Sequence, residues 1–320
     1  MLEIRGLSIT PPLLLAPMAG LTHSAFRTLL LRLGGVGLLS TEMLSARRLP
    51  MENAVISPFL VSTEAEHPLS YQLLVADNVH LARAIDRVHE LKGDAIDLNL
   101  GCPAPKVRQF GGGSKLVDDM DSLRQLVAEA RAHTALPLTA KIRLGEELNE
   151  SSLRNLCRML EGEGIDLLTV HARLRKEPFI RKPRWEWVGK VKNWLTIPVV
   201  ANGGIFSVDD GRRCLERSGA DGLMLGRGAA MRPWLFHELA SELYGLDLPR
   251  LEIDRPACYF FFISQLEERF RPERRLGRLK EFTHYFSMTY PFGLRLASAV
   301  QSSGSMQEAR ERATVFFARS

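Results

Sequence analysis

The sequence predicts an α/β protein, a (β/α)₈ TIM barrel followed by a small all-α C-terminal domain. Eight short apolar runs occur between residues 13 and 225. Segments with apolar residues at helical spacing separate these runs. Beyond Leu239 this alternation stops, and only helical patterns follow. Eight short buried strands alternating with helices are typical of a (β/α)₈ barrel. A doubly wound open sheet is the alternative, since the number of strands does not show that the sheet closes.

The predicted strands are short runs rich in leucine, valine and isoleucine, as expected for strands that are buried on both faces. They cover residues 13–16, 36–40, 69–74, 94–98, 138–142, 167–170, 198–201 and 222–225. The predicted helices between and after them cover 24–33, 78–91, 121–133, 151–161, 185–194, 208–217 and 229–239. Ser207 and Asp119 place hydrogen-bond acceptors at two of the helix starts, where the first backbone N–H groups lack partners.

A domain boundary is predicted at residues 244/245. The segment 246–250 breaks the pattern, and Arg255-Pro256 begins a set of helices at 257–269, 274–289, 294–301 and 306–318. The chain would then consist of a catalytic barrel, 1–244, and a helical domain, 245–320. Tyr285 and Phe286 are expected in the core of the helical domain.

Composition excludes several classes of protein. The four cysteines, at 102, 157, 214 and 258, have no paired spacing, which fits neither a disulfide framework nor a metal site and indicates a reducing compartment. We see no signal peptide and no apolar run long enough to span a membrane, so a cytoplasmic, non-membrane, metal-free protein is expected, most simply a monomer.

The net charge of +5 is concentrated near the C-terminus. Residues 254–320 contain eleven Arg and Lys against seven Asp and Glu. A solvated helical surface would explain this excess, and so would a surface that binds phosphates.

Polar residues follow the predicted strands at the end where α/β barrels carry their chemistry. Asn99 and Cys102 come just after the fourth strand, in a turn fixed by Gly101 and Pro103. The other strands end near Pro17 and Met18, Gln72, Lys141, His171, Asn202 and Arg227. Each residue alone could have a structural role, but together they predict one site at one end of the barrel.

Two glycine segments sharpen this prediction. Asn202-Gly203-Gly204 and Gly226-Arg227-Gly228 follow the seventh and eighth strands, where backbone N–H groups commonly hold a phosphate. Lys141 would neutralise charge on a reduced flavin, and Gln72 offers a donor and an acceptor to its pyrimidine edge. The residues therefore suit flavin mononucleotide (FMN), although a phosphorylated sugar would use the same phosphate site.

Six motifs resemble the signature motifs of the FMN-dependent tRNA-dihydrouridine synthases, in the same order and with similar spacing. They are Ala16-Pro17-Met18-Ala19-Gly20, Asn99-Leu100-Gly101-Cys102-Pro103, Ala140-Lys141-Ile142-Arg143, Val170-His171-Ala172-Arg173, Asn202-Gly203-Gly204-Ile205 and Gly226-Arg227-Gly228. The asparagine–x–glycine–cysteine–proline motif is specific, whereas the glycine motifs are shared with other FMN barrels.

The resemblance implies a reaction and a set of roles. NADPH would reduce FMN, whose N5 would pass a hydride to C6 of a uracil in tRNA, giving 5,6-dihydrouridine. Cys102 would protonate C5 as the general acid, and Asn99 would lie near the substrate base. FMN would contact Pro17, Met18, Gln72, Lys141, His171, Asn202, Gly203, Gly204, Gly226 and Arg227. Two departures from the family pattern, Lys115 and Leu174, could alter which tRNA or uridine is accepted.

Basic residues flank the predicted site on two segments. The loop after His171 includes Arg173 and Arg175, and the helical domain contributes Arg274, Arg278 and Lys280. Two such patches fit the backbone phosphates of a folded RNA better than a small metabolite. A helical domain that binds tRNA is the resulting prediction for residues 245–320. The alternatives are an FMN-dependent reductase of a free pyrimidine, with the helices used for oligomerisation, and a non-catalytic RNA-binding protein.

Overall fold

A computed structural model describes residues 1–319 and shows a parallel barrel followed by a helical region. The strands are β1 (Leu2–Ile4), β2 (Leu7–Ile9), β3 (Leu13–Leu15), β4 (Leu39–Ser40), β5 (Leu44–Ser45), β6 (Leu69–Leu74), β7 (Ala95–Asn99), β8 (Leu138–Arg143), β9 (Leu167–His171), β10 (Val199–Asn202) and β11 (Gly222–Leu225).

The helices of the barrel part are α1 (Ser24–Leu33), α2 (Leu81–Glu90), α3 (Pro105–Gln109), α4 (Met120–Ala132), α5 (Glu150–Gly162), α6 (Trp185–Trp194), α7 (Val208–Ser218), α8 (Arg227–Met231) and α9 (Leu235–Tyr244). The helical region contains α10 (Arg255–Arg269), α11 (Arg275–Phe286), α12 (Gly293–Gln301) and α13 (Met306–Phe317). Short 3₁₀ turns lie at Leu49–Met51, Glu64–Glu66, Gly113–Asp118, Pro272–Arg274 and Ser287–Thr289.

Eight parallel strands form the barrel, which confirms the predicted fold class. They pair in the order β3, β11, β10, β9, β8, β7, β6 and β4. The two ends of this sheet meet where the N–H of Leu15 donates to the carbonyl of Leu38 at 2.9 Å, beside a parallel bridge between Leu14 and Leu38. The open-sheet alternative is therefore excluded.

The predicted strands and helices agree with the structure to within a few residues, with one exception. The predicted helix 229–239 is two helices, α8 and α9, because Pro233 forces Arg232 out of helical geometry. Three elements of the barrel part were not predicted: β5, which pairs with β6, the short helix α3, and an N-terminal hairpin. The hairpin consists of the antiparallel strands β1 and β2 and precedes the barrel. Its turn at Arg5 and Gly6 has positive φ at both residues, the geometry preferred in two-residue hairpins. The hairpin side chains Leu2, Ile4 and Ile9 share a small buried cluster with barrel residues such as Leu14, Val200 and Met224.

The two predicted N-cap residues accept hydrogen bonds at the starts of their helices. The Ser207 side chain accepts a hydrogen bond from the N–H of Asp210, and the Asp119 side chain accepts one from Ser122. Each satisfies a backbone donor that the helix leaves free.

One hydrophobic core runs through the barrel layer and the helical region. Phe26 of α1 lies 5.9 Å from Phe282 of α11, measured between ring centroids, and Phe282 lies 4.0 Å from Phe262 of α10. All three rings are fully buried. The last helix of the barrel part, α9, ends at Tyr244, and the same core continues beyond it into the helical region.

No helix among residues 1–319 is long and apolar enough to cross a membrane.

Candidate active site

A cavity of about 330 Å³ opens at the carboxyl ends of the barrel strands. Its volume falls within the roughly 300–1,000 Å³ that is common for small-molecule sites. Twelve of the predicted site residues line it: Pro17, Met18, Gln72, Asn99, Cys102, Lys141, His171, Asn202, Gly203, Gly204, Gly226 and Arg227. The structure thus brings the strand-end residues together, as the barrel prediction requires.

The Cys102 thiol lies on a turn that is held at several points. Asn99 accepts hydrogen bonds at Oδ1 from the N–H groups of Cys102, at 3.0 Å, and Gly101, at 3.3 Å. The Cys102 carbonyl accepts one from the N–H of Ser114 at 3.0 Å. Gly113 has φ +61°, and a Cβ there would lie 2.7 Å from that carbonyl, so the close approach requires glycine. Cys102 is partly exposed, whereas Cys157, Cys214 and Cys258 are buried.

Two side-chain amides that line the cavity and one carboxylate outside its lining form a hydrogen-bonded chain. Asn99 donates from Nδ2 to Oε1 of Gln72 at 2.8 Å, and Gln72 donates from Nε2 to Asp97 at 2.6 Å. Thr139 donates to the other Asp97 oxygen at 2.6 Å. Burial is the main influence on Asp97 and raises the pKa of its carboxyl group.

Lys141 supplies the cation on the cavity floor. Burial, reinforced by the neighbouring Arg143, lowers its pKa from 10.5 to about 8, and Asp97 and Cys102 oppose this change. The ammonium form is therefore still the main form at neutral pH.

His171 presents an uncharged imidazole to the cavity. Burial is the first cause that lowers its pKa well below the usual value, and the cations Lys141, Arg143, Arg173 and Arg227 add to it. Its ring stacks on Phe179 at a centroid distance of 6.0 Å. The Arg227 guanidinium lies 4.4 Å from the centroid of the same Phe179 ring, on the rim of the cavity.

The two glycine segments pack closely against one another and against the strands. Gly203 and Gly204 have φ values of +107° and +77°, which side chains rarely adopt. A Cβ on Gly228 would lie 2.0 Å from the carbonyl oxygen of Ile205, so only glycine allows the loop after β10 to meet the start of α8. Asn202 donates to the carbonyl of Met224 at 2.7 Å, which ties β10 to β11 at this end.

Comparison with known proteins identifies the family. The model of the dihydrouridine synthase (Dus) family matches residues 14–291, most of the chain. The chain belongs to the dihydrouridine synthase family. It is thus an enzyme of the oxidoreductase class.

Three relatives resemble this synthase along nearly their whole length. The tRNA-dihydrouridine(16) synthase of Pseudomonas putida is 36% identical over 286 residues, 87% of this chain and 88% of the relative. That of Aquipseudomonas alcaligenes is 36% identical over 298 residues, 90% of this chain and 94% of the relative. A probable tRNA-dihydrouridine synthase 1 of Synechocystis is 34% identical over 312 residues, 97% of this chain and 87% of the relative.

Two solved structures share the fold at low identity. A 2-naphthoyl-CoA reductase complex superposes with a TM-score of 0.55 at 10% identity over 76% of this chain, and the histamine dehydrogenase of Rhizobium sp. 4-9 with 0.54 at 14% over 80%. The synthase spans about half of each, 51% and 49% of their chains. These likenesses support the barrel architecture alone.

Several residues that line the synthase cavity were not predicted. Arg143 lies two residues after Lys141 on β8, so the period of the strand could have indicated it. Phe179 comes from the loop after β9. Glu281 and Tyr285 come from α11 of the helical region, and no local sequence signal places them at the barrel mouth. Phe286 is fully buried, as predicted, but Tyr285 is only partly buried and faces the cavity, which corrects its assignment to the core.

Two of the predicted RNA-contacting arginines are occupied inside the protein. Arg173 is 2% exposed and donates to the carbonyls of Pro178 and Arg181. Arg175 is 5% exposed and pairs with Asp118 at 2.7 Å and with Glu146 at 3.0 Å. These arginines brace the loop after β9, which corrects the prediction that they face RNA.

The helical region keeps part of its predicted basic surface. Arg274 is exposed, and Lys280 is partly exposed. Arg278 is partly buried: its guanidinium lies 4.6 Å from the centroid of the Phe270 ring and donates to the Arg274 carbonyl at 2.8 Å. None of the three lines the cavity, so any role in RNA binding lies outside it.

Both departures from the family pattern lie beside the site and not within it. Lys115 is exposed and pairs with Asp118 at 3.2 Å. Leu174 packs against the hydrophobic core, and its carbonyl accepts a hydrogen bond from Arg143 at 3.0 Å.

Among residues 1–319, no group of three or more His, Cys, Asp or Glu is arranged to hold a metal ion.

Proposed function

We propose that this synthase reduces the C5–C6 double bond of a uridine in tRNA to 5,6-dihydrouridine, with FMN as cofactor and NADPH as electron source. One observation carries the proposal: the Cys102 thiol shares a single cavity with Lys141, Gln72 and the two glycine segments. A proton donor and a set of groups suited to a flavin therefore face the same space. The names of the three relatives agree with this activity.

The donor set of the cavity fits an anionic, hydrogen-bonding cofactor. Lys141, Arg143 and Arg227 line it, and Glu281 is the one carboxylate side chain among the described lining residues. A phosphate would be held by backbone N–H groups of Gly203, Gly204 and the Gly226–Gly228 segment, assisted by Arg227. FMN supplies the hydride that C6 of the uracil receives.

Residues on the strands would orient the flavin. The Lys141 ammonium would stabilise negative charge at the N1/O2 side of the reduced ring, because a cation in a partly dry site interacts strongly with such charge. Gln72 would present its amide to the pyrimidine edge. Pro17, Met18, His171 and Asn202 would complete the contacts, and the uncharged imidazole of His171 adds no further positive charge.

Cys102 would donate its Sγ proton to C5 of the uracil. The turn that carries it is fixed by Asn99, Gly113 and Ser114, so the thiol approaches the target from one direction. Asn99 would also lie close to the base. Because a stacked base cannot reach the cavity, the uridine would have to leave the base stack, at a cost of a few kcal/mol that is lowest in a loop.

The tRNA would lie across the barrel mouth and the helical region. Lys176, Arg181 and Lys182 on the loop after β9 are exposed, and Arg274 is exposed on the helical side. Cations on both sides of the cavity would bind backbone phosphates and position the folded RNA. Tyr285, which comes from the helical region and lines the cavity, would contact the nucleotide that enters it.

The test uses Cys102→Ala with unmodified tRNA, FMN and NADPH. We expect FMN to bind as in the wild type, because the thiol is not among the flavin contacts, and turnover to fall by about a hundredfold or more, in line with the loss of a general acid. Undiminished formation of dihydrouridine would refute the role of Cys102.

A second measurement identifies the target. Two relatives are named for position 16, so mapping dihydrouridine in tRNA treated with the wild-type enzyme should begin at that position. Reduction of free uridine at a rate comparable to that of tRNA would favour the small-molecule alternative.

A further inference from the structure

A buried chain of hydrogen bonds connects the floor of the cavity to the thiol turn. It runs from Asp97 to Gln72 at 2.6 Å, from Gln72 to Asn99 at 2.8 Å, and from Asn99 to the N–H of Cys102 at 3.0 Å. The three side chains are 5%, 1% and 7% exposed. Water cannot readily replace a partner at such burial, so each lost bond carries its full cost.

The direction of this chain is fixed at both ends. The N–H of Cys102 can only donate, so Asn99 must turn its oxygen toward it. The Asn99 amide nitrogen then faces the oxygen of Gln72, and the Gln72 nitrogen requires an acceptor. The Asp97 carboxylate is that acceptor. In its ionised form it has no proton to donate, so it can only accept.

The register of the barrel strands places Asp97 next to Gln72 but outside the lining of the cavity. Gln72, Asp97 and Thr139 are direct neighbours across β6, β7 and β8. Gln72 lines the cavity, whereas Asp97 and Thr139 do not. The hydrogen bonds of Asp97 therefore reach the cavity only through Gln72, whose side chain lines it.

We propose that Asp97 is a positioning residue: it anchors the Gln72–Asn99 amide chain and thereby holds both the flavin-facing amide and the Cys102 turn in their working orientation. The inference rests on the proposed function for the roles of Gln72 and Cys102. A structural role alone would predict only a loss of stability when Asp97 is changed.

The carboxylate has a second effect, on Lys141. Four ionisable groups influence or face this lysine: Asp97, Arg143, Cys102 and His171. Asp97 raises the pKa of Lys141, and Arg143 lowers it. The negative charge of Asp97 thus helps to keep Lys141 protonated.

The first experiment measures alkylation of Cys102 by iodoacetamide in flavin-free protein, in which the other three cysteines are buried. Asp97→Leu removes the acceptor, and we expect the rate to rise by about fivefold, because the loss of one buried hydrogen bond loosens the turn. Asp97→Asn keeps an acceptor oxygen and should stay within about twofold of the wild type. The control Thr139→Val leaves the chain intact and should also stay within about twofold.

Gln72→Met provides a second variant in case Asp97→Leu does not fold. It interrupts the same chain one link closer to Cys102, and we expect the same rise in alkylation rate. An unchanged rate in either variant, once circular dichroism shows that it is folded, would overturn the proposal. Equal effects of Thr139→Val and Asp97→Leu would also overturn it, because they would indicate general disturbance of the core.

A titration of FMN by fluorescence adds a readout of the Gln72 end. Asp97→Leu should weaken FMN binding by about fivefold or more, and Thr139→Val should not. Failure of the wild-type enzyme to form dihydrouridine would refute the proposed function and would leave the alkylation result standing.

Discussion

The lowered pKa of Lys141 predicts a measurable effect on the stability of the protein. Burial of the ammonium group destabilises the folded state, and replacing the lysine should remove this penalty. Its pKa of about 8 in the folded protein compares with 10.5 for an ordinary lysine. Each pKa unit corresponds to about 1.4 kcal/mol, so the ammonium form costs the folded state about 3 kcal/mol below pH 8. Replacing Lys141 by Met removes this cost because no charge has to be buried.

The sign of the effect follows from proton binding. Between pH 8 and 10.5 the unfolded chain keeps the lysine proton and the folded protein has lost it. The free energy of unfolding of the wild type should therefore rise with pH across this window. At pH 7 Lys141→Met should be the more stable protein by up to about 3 kcal/mol, and this difference should vanish above pH 10.5.

Urea unfolding of the flavin-free protein, followed by circular dichroism between pH 7 and 10.5, measures both quantities. Lys176→Met is the matched control, since the Lys176 side chain is 80% exposed, and it should retain the pH dependence of the wild type. If the stability of Lys141→Met rose with pH as much as that of the wild type, the lowered pKa could not belong to Lys141. Weaker FMN reduction in the stabilised variant would show that the cation is kept for function.

Two further predictions concern the proposed phosphate site and the proposed RNA-binding surface. Gly203→Ala would place a Cβ 2.6 Å from Cδ2 of His171 at φ +107°, so FMN affinity measured by fluorescence should fall by about tenfold or more. Gly162→Ala, where a Cβ meets no atom within 4 Å, should bind FMN normally, and equal affinities in the two variants would contradict this role of Gly203. Binding of tRNA should weaken steeply with salt, with log Kd changing by at least about 3 per decade of salt if four cations contact phosphates. A slope near zero in filter-binding titrations would argue against the exposed basic surface.

Much of the barrel could be predicted because its strands are buried on both faces. Runs such as Val199–Asn202 combine continuous apolar residues with a polar residue at the carboxyl end, and this pattern signals both a strand and a site. The thiol turn could also be predicted, since Gly101 permits a tight turn and Pro103 fixes its own φ angle. These features depend on local sequence alone.

Other features depend on contacts between distant segments and left no local signal. Tyr285 reaches the cavity because α11 packs against the barrel, and its pattern is that of an ordinary core residue. Arg175 looked like a surface cation until the structure placed Asp118 and Glu146 against it. Asp97 was hidden for the same reason, because its partners Gln72 and Thr139 come from neighbouring strands.

The shared core of Phe26, Phe262 and Phe282 has a consequence for recombining family members. A chimera that exchanges only the C-terminal helices would pair α1 of one protein with α10 and α11 of another. The aromatic side chains at this contact would then no longer be matched in shape. A chimera designed to change tRNA specificity should therefore exchange α1 together with the C-terminal helices, so that both sides of the contact come from the same protein.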